Sequence, residues 1–474
     1  MELEVMKKLI KRNQRIHRKH VRDSFQAERY YRKKNDILKR GAKSITSTGN
    51  PLHSADNRIP SNFYNILVNQ KAAYLFTTPP VFNIGSAESN KAVSKCLGDD
   101  FTKICKNLCI NASNCVVAWL HYWINDKGEF RYAVIDSKQA VPLWTNDLEK
   151  ELSGFLRMYD QINEDGQVYN VYEYWDKTTC YAFCKENQDA IDMLRFYNDY
   201  EVMSYDWTDT SNGEAAYVHN FGEVPFIPFF NNTEGGNDLN DIKELIDAYD
   251  KVYSGYLNDL EDIQEIIFLL TGYEGESLTE FLHKLKKYKT VKLDGGDDGK
   301  GSLDTLTIDI PVEAREKMLA MTRKAIFEQG MGIDPDPQNF GNSSGVALSY
   351  LYSLLELKAG LMETEFRPGF SQLVRAVCQH IGITVDTISQ TWTRTSVRND
   401  SELSMIAQQS TGIVSKRTVL ANHPWVEDAD KELQQIKQEE QEEMVSGGYD
   451  PFKQQASLKD NGRTTDLAGD TNEA

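Results

Sequence analysis

The run Asp294–Ser302, DGGDDGKGS, comes nearest to a catalytic motif in this 474-residue chain. A phosphate-binding loop needs a Gly, four free positions, then Gly-Lys followed directly by Ser or Thr. With Gly299-Lys300 as the pair, Asp294 stands at the first Gly position and Gly301 follows the lysine. Asp294, Asp297 and Asp298 would also repel phosphate. A calcium loop fails as well: counting from Asp294, the third position is Gly296 and the twelfth is Thr305, so the bidentate Glu is missing. The run therefore reads as a solvated turn between strands. Cys105-x3-Cys109 and Cys180-x3-Cys184 have weak metal-ligand spacing. Cys105, Cys109 and Cys115 fall at helical spacing with Phe101, Ile104, Leu108 and Val116, and Cys180 and Cys184 interleave with Tyr181 and Phe183, so packing as small apolar groups is the better reading. The eight histidines are scattered without an HExxH, and no G-x-S-x-G elbow occurs. No catalytic residues, metal site or cofactor are expected.

Composition narrows the class further. The chain is 40% hydrophobic with a net charge of -18, and its mean hydropathy is -0.53. No apolar run approaches the roughly 20 residues of a membrane helix; the longest spans Cys115–Leu120. The N-terminus is basic but lacks the apolar core of a secretory signal, so assembly in a cytosol is expected, with no membrane partner. The seven cysteines are odd in number and imply no disulfide framework. Charge is unevenly spread. Residues 1–43 hold fifteen Lys/Arg against five Asp/Glu, a balance of +10, which leaves -28 for the remainder. So acidic a body does not suit gripping DNA, which takes many Lys/Arg on phosphates. The basic head fits contact with nucleic acid, pairing with an acidic neighbouring copy, or a solvated helix; Val5, Leu9, Ile16 and Val21 give it only a loose apolar period.

The elements alternate in texture. SNFYNILVNQKAAYLFTTPP reads as a helix stopped by Pro79 and Pro80, with Phe63, Ile66, Leu67, Ala72, Tyr74 and Leu75 as its buried stripe. Another helix is expected over about 90–112. From Cys115 the period shifts toward two. CVVAWLHYWI and EFRYAVID form a predicted hairpin, followed by strands in SGFLRMYDQI, VYNVYEYWD and TTCYAFCK. This antiparallel region spans about 115–230 and closes at HNFGEVPFIPFFNN. Residues 238–265 then read as one amphipathic helix of ~42 Å, and PVEAREKMLAMTRKAIFEQG, opening on Pro311, as a second of ~30 Å. Glu244, Asp247, Lys251, Asn258 and Asp262 face away from the apolar stripe of the first. Between the two, IIFLL, LTEFLHKLKKY, KTVKL and LDTLTIDI predict a small α/β insert. The simplest geometry is an antiparallel helix pair with a knob at its far end. The loop GIDPDPQNFGNSS offers only Ile333 and Phe340 to a core. A long helix follows to Ile381, with Arg367-Pro368-Gly369 expected to kink or break it. ITVDTISQTWTRT adds strand, ELSMIAQQSTGIVSKRTVL to ELQQIKQEEQEEM gives two or three helices, and the polar tail from Ser446 should be disordered.

Five blocks, in order, resemble the portal (head-to-tail connector) protein family of long-tailed double-stranded-DNA phages, siphophage type, over about residues 56–443. They are Asp56-Asn57-Arg58-Ile59-Pro60 with NILVNQKAAYLFTTPPVF, where Thr77 replaces the usual Gly; FRYAVIDSKQAVPLW; VPFIPFFNN with the acidic helix after it; NFGNSSGVALSYLYSLLELKAGLMETEFRPGF, the most specific; and IVSKRTVLANHPWVEDADKELQQIKQEEQEE. The resemblance implies an α+β, portal-like elongated subunit with a mixed α/β wing, long antiparallel stem helices, a small α/β clip and a helical crown. Laid onto this sequence, 1–45 is the basic N-terminal segment and 46–237 the first, β-rich part of the wing. Residues 238–265 and 311–332 are stem helices around the clip 266–310. A tunnel loop, 333–345, precedes the rest of the wing, 346–400; then come the crown, 401–446, and the disordered tail, 447–474. The implied function is a homo-oligomeric ring of roughly twelve copies at one capsid vertex. Double-stranded DNA would pass through it without sequence specificity. The implied partners are the terminase motor, a head-completion or adaptor protein, and capsid and scaffold proteins. The implied DNA-facing residues are Asp334, Asp336, Gln338, Asn339, Phe340 and Asn342 of the tunnel loop. Glu244, Asp247 and Asp262 would be the acidic face of the stem, and Lys284, Lys286 and Lys287 the partner surface of the clip. A channel-less capsid or scaffold protein is the alternative that shares this composition; a packaging nuclease would need a nucleotide or metal site.

Overall fold

The computed structural model describes residues 1–39, 55–162, 166–197, 208–209, 215–263, 267–271, 302–306, 311–336, 345–395, 400–423, 425–426 and 429–445. They form two units, Met1–Asn339 with Tyr350–Ser396, and Phe340–Ser349 with Val397–Ala474. The fold is α+β, as expected.

The first unit opens with α1 (Leu3–Tyr31), α2 (Phe63–Phe76), β1 (Val81–Asn83), α3 (Ala87–Leu97) and α4 (Phe101–Cys115). The single helix expected over 90–112 is therefore two. Gly98, at φ +71°, ends α3 while its N–H still reaches the Ser94 carbonyl at 3.1 Å, a conformation that glycine adopts without a Cβ penalty. α2 is also more deeply set than a one-sided stripe: Tyr64, Val68, Lys71 and Phe76 are buried alongside Phe63, Leu67, Ala72, Tyr74 and Leu75. α1 shows why its apolar period is loose. Val5 and Ile16 are exposed, at 47% and 73%, while Met6, Ile10, Ser24, Ala27 and Tyr30 turn inward.

The strand region follows the period-two reading. β2 (Val117–Ile124) and β3 (Phe130–Ile135) pair as the predicted hairpin, and β11 (Phe226–Phe230) adds to the free edge of β2, with Pro228 opposite Trp119. β4 (Ala140–Trp144), β5 (Leu152–Ile162), β6 (Val168–Trp175), β7 (Thr179–Glu186), β10 (Ala215–Val218) and β9 (Thr208–Asp209) lie in that order in a second antiparallel sheet, with β8 (Arg195–Phe196) on β7. Alternation decides its two faces. Phe155, Val171 and Ala182 pack with Trp119, Ile135 and Phe226 between the sheets. Their neighbours Leu156, Tyr172 and Phe183 point the other way, where Met6 and Ile10 of α1 cover them. The cysteines behave as small apolar groups: Cys105, Cys109, Cys115, Cys180 and Cys184 are buried.

α5 (Lys243–Ile263) starts five residues later than expected, because residues 238–242 form a turn. β12 (Ile267–Thr271) pairs antiparallel with β13 (Ser302–Leu306), and α6 (Val312–Gln329) returns. α5 and α6 run antiparallel. Arg315 near the start of α6 pairs with Asp259 near the end of α5, while Phe63 sits edge-on to both Tyr249 (4.9 Å) and Phe327 (5.8 Å). The helix and strand expected within 272–301 lie outside the described residues.

α7 (Gly345–His380) passes through Pro368 as one helix, so the expected break does not occur. Phe366 and Phe370 flank that proline and are fully buried in an aromatic cluster with Phe76 and Phe229, and Phe370 also meets Phe82, Phe101 and Trp392. Tertiary packing on both sides outweighs one lost helical hydrogen bond. β14 (Ser389–Thr391) pairs with β1. The second unit contains α8 (Asp400–Gln409), α9 (Lys416–Ala421) and α10 (Ala429–Val445). Ser415 caps α9 by accepting from the Thr418 N–H at 3.2 Å.

Candidate functional site

Lys71 lies in the middle of α2 with 1% of its surface exposed. A buried ammonium needs a counter-charge, and the turn before α5 supplies it. Lys71 Nζ donates to Asp238 Oδ2 at 2.6 Å and to Asn231 Oδ1 at 2.9 Å. Asn231 Nδ2 donates in turn to Asp238 Oδ1 at 2.8 Å. Lys358 of α7 approaches the same carboxylate at 3.2 Å and donates to the Gly330 carbonyl at the end of α6 at 2.9 Å. The Asp238 N–H and the Tyr64 hydroxyl both donate to the Ser113 carbonyl of α4. Burial works to raise the Asp238 carboxyl, but Lys358 and Lys71 outweigh it and hold it well below the ordinary carboxylate range. Burial pushes the Lys358 ammonium down, which eases the presence of two lysines on one carboxylate. One side-chain cluster thus ties together α2, α4, α7, the end of α6 and the start of α5.

The end of α6 also presses close to α2. A Cβ on Gly332 would fall 2.1 Å from Leu67 Cδ2, and one on Gly330 would fall 2.6 Å from Leu67 Cδ1 and 2.7 Å from the Ile326 carbonyl oxygen, so a side chain at either position would have to displace Leu67 from its packing. The next residues are fastened. Gln70 accepts from the Ile333 N–H at 3.0 Å and donates to its carbonyl at 2.7 Å. Arg323 grips both oxygens of Asp334, at 2.6–3.2 Å. Arg323, eleven residues upstream on α6, thereby neutralises Asp334. Asp336 donates its N–H to Asp334 Oδ1 at 3.3 Å. Gln338, Asn339, Phe340 and Asn342 lie outside the described residues, as do Lys284, Lys286 and Lys287.

The acidic face of α5 divides. Glu244 is exposed. Asp247 accepts from the Tyr30 hydroxyl of α1 and from Lys243 Nζ, the latter at 2.6 Å. Asp262 belongs to the last turn of α5, its side chain lying outside the description. Other polar residues of α5 fasten residues 57–61: Asn258 accepts from the Asn57 N–H (2.6 Å), Ser254 from Ile59 (3.0 Å) and the fully buried Asp250 from Ser61 (2.8 Å). Asp238 and Asp250 went unnoticed as buried acids. The signal for the first was Lys71, a lone charge inside an apolar helix; nothing in the sequence said which acid it meets.

The titratable groups of the interior are spent on structure. Burial raises the Cys109 and Cys115 thiols to about 12, far from a reactive thiolate. Burial lowers His121 to about 3 and His219 to about 4, and each bonds a backbone carbonyl, of Pro225 and Asp176 respectively. Glu173, raised by burial, accepts from Tyr159, Arg157 and Trp175. Among the described residues, no group of three or more His, Cys, Asp or Glu is placed to hold a metal ion, and no helix is long and apolar enough to cross a membrane.

Comparison with known proteins agrees with the five sequence blocks. The portal protein of Clostridium phage phiCD119 is 39% identical over 446 residues, covering 90% of this chain and 95% of the relative. That of Bacillus phage SPP1 is 29% identical over 425 residues, covering 87% and 82%. Among solved structures, the neck of a native GTA particle computed with C12 symmetry aligns over 76% of this chain and 89% of its own, at a TM-score of 0.39 and 11% identity, too distant to support any inference. The family model described as phage portal protein, SPP1 Gp6-like, matches residues 10–446, and with it the chain belongs to that family of portal proteins.

Proposed function

We propose that this chain assembles into a closed ring of roughly twelve copies at one capsid vertex, through which double-stranded DNA is packaged and ejected. The family match over residues 10–446 carries the reading. Two structural features support it. The antiparallel pair α5/α6 joined through a β12–β13 ribbon suits a stem bearing a clip. On α7, Tyr350, Leu354, Leu357 and Leu361 recur at intervals of three and four and are exposed in the single chain, a seam that neighbouring copies in a ring would cover. The role is structural and involves no bond-making step. An acidic wall lets DNA slide, because it offers phosphates no deep electrostatic well. Residues 401–446 would be the crown, residues 333–345 the tunnel loop, and Lys284, Lys286 and Lys287 the surface for the terminase motor and the head-completion protein. Capsid and scaffold proteins would surround the wing in the virion, after assembly in the host cytoplasm.

Class averages of the purified protein by electron microscopy test the ring: closed rings with an axial hole are expected, and shells, rods or a stable monomer would refute it. Replacing residues 336–341 by a short Gly/Ser bridge tests the channel. Rings should persist while packaged DNA per head falls; normal packaging would leave the loop a mere linker.

A further inference from the structure

The sequence leaves the basic N-terminal segment open between nucleic acid, an acidic copy and plain solvent, and α1 supplies what decides among them. Between Val5 and Arg22 there is no Asp or Glu. Lys8, Arg12, Arg15, Lys19 and Arg22 recur at intervals of four and three along one exposed face, with Arg18 beside them. The stripe is about 21 Å long. Among the described residues, no carboxylate pairs with Lys8, Arg12, Arg15, Arg18 or Lys19; Lys11 meets Asp192 and Arg22 meets its neighbour Asp23. The opposite face is fixed to the body. Met6 and Ile10 enter the core under the large sheet, Tyr30 reaches α5, and the His17 and His20 rings donate to the carbonyls of Lys138 and Ser137. The stripe is therefore a rigid surface rather than a loose arm.

We propose that this stripe docks on the acidic surface of a second copy of the chain. Contacts that close a ring are heterologous: one patch meets a different patch on the next copy. Copies carrying -18 each repel unless their charges are segregated so that opposite signs meet, and this chain holds +10 in residues 1–43 against -28 elsewhere. A duplex offers the stripe charges of one sign only and its approach is opposed by the chain's net charge of -18, whereas a second copy carries basic and acidic segments that can pair. The proposal rests on the ring reading only for the number of copies; the contact itself requires association.

The test is the full-length quadruple variant Arg15→Glu, Arg18→Glu, Lys19→Glu, Arg22→Glu beside the parent protein, followed by mass photometry across a salt series, with the unfolding midpoint and binding to a fluorescent 30-base-pair duplex measured in parallel. The parent should associate less as salt rises. The variant should unfold at a similar midpoint and require about tenfold more protein for half-assembly. Should its midpoint drop, the neutral Arg15→Gln, Arg18→Gln pair takes its place and should weaken assembly in the same direction. Unchanged assembly in a folded variant overturns the proposal, and so does a parent that binds the duplex through the stripe while assembly ignores it. A parent that forms open chains instead of closed rings would remove the ring reading and keep this contact.

Discussion

On α1 and on α5 a charged stripe stands opposite an apolar one. On α1 the stripe is basic, and most of it meets no partner among the described residues. On α5 and the turn before it, residues 238–265 contain nine Asp/Glu and two Lys, yet much of that acid is consumed inside the chain. Asp238 holds the buried Lys71 and the part-buried Lys358, Asp247 takes Tyr30 and Lys243, Asp250 receives the chain at Ser61, Asp259 pairs with Arg315 and Glu261 accepts from Asn57. A helical charge count therefore says little about the charge a partner meets. What matters is which carboxylates the fold has already claimed, and on α5 only a minority, such as Glu244, remain for a channel wall.

The largest effect should come from Asp238→Ala. It leaves the buried Lys71 and the part-buried Lys358 beside it without their counter-ion, and breaking a buried pair in this way costs about 3–5 kcal/mol. Urea unfolding should show it; a loss under 1 kcal/mol would mean that the cluster relaxes to water and does not organise the helices. Asp247→Asn should cost about 1 kcal/mol, through its weakened bonds to Tyr30 and Lys243. A neutral outcome would return Asp247 to the free acidic face. A third test concerns how the two helices are held. Burial lowers His17 and His20, outweighing the backbone hydrogen bonds that raise them, with Asp23, Asp136 and Lys138 nearby. Docked α1 thus keeps both rings neutral, while an opened α1 takes up protons. Their contribution is fully present above pH ~6.5 and is lost as pH falls through the folded values. Hydrogen exchange should show protection in α1 falling about threefold more than in α5 between pH 7.5 and 5.5. Equal changes in the two helices would show that the histidines do not hold α1. The smallest effect belongs to Glu244→Gln, expected within roughly 0.5 kcal/mol. A larger loss would reveal a contact that the single chain does not make.

Much of the strand region was legible because alternation of large aromatic and polar residues is a local signal. The hairpin β2–β3 and strands β5–β7 follow it almost residue by residue. The apolar period of α1 was loose because its inward face is built partly of Ser24, Ala27 and two histidines, which carry little hydropathy, while Val5 and Ile16 point outward. The break at Gly98 was missed because a single glycine does not reveal its φ. Pro368 misled in the other direction, since the aromatic residues that keep α7 continuous come from α2, β1, α4, β11 and Trp392 just after β14. The ionic cluster at Asp238 was half visible: Lys71 announced a partner, but its identity depends on where three other helices end.

The fastening at Ile333 and Asp334 has a mechanical consequence. Gln70 holds both the N–H and the carbonyl of Ile333, and Arg323 grips both carboxylate oxygens of the next side chain. In the language of beams, the segment Ile333–Asp336 is built in at this end rather than pinned. A sideways push on it cannot be relieved by rotation at its root. The push becomes a bending moment on the end of α6 and, through the Lys358 bond to the Gly330 carbonyl, a load on α7.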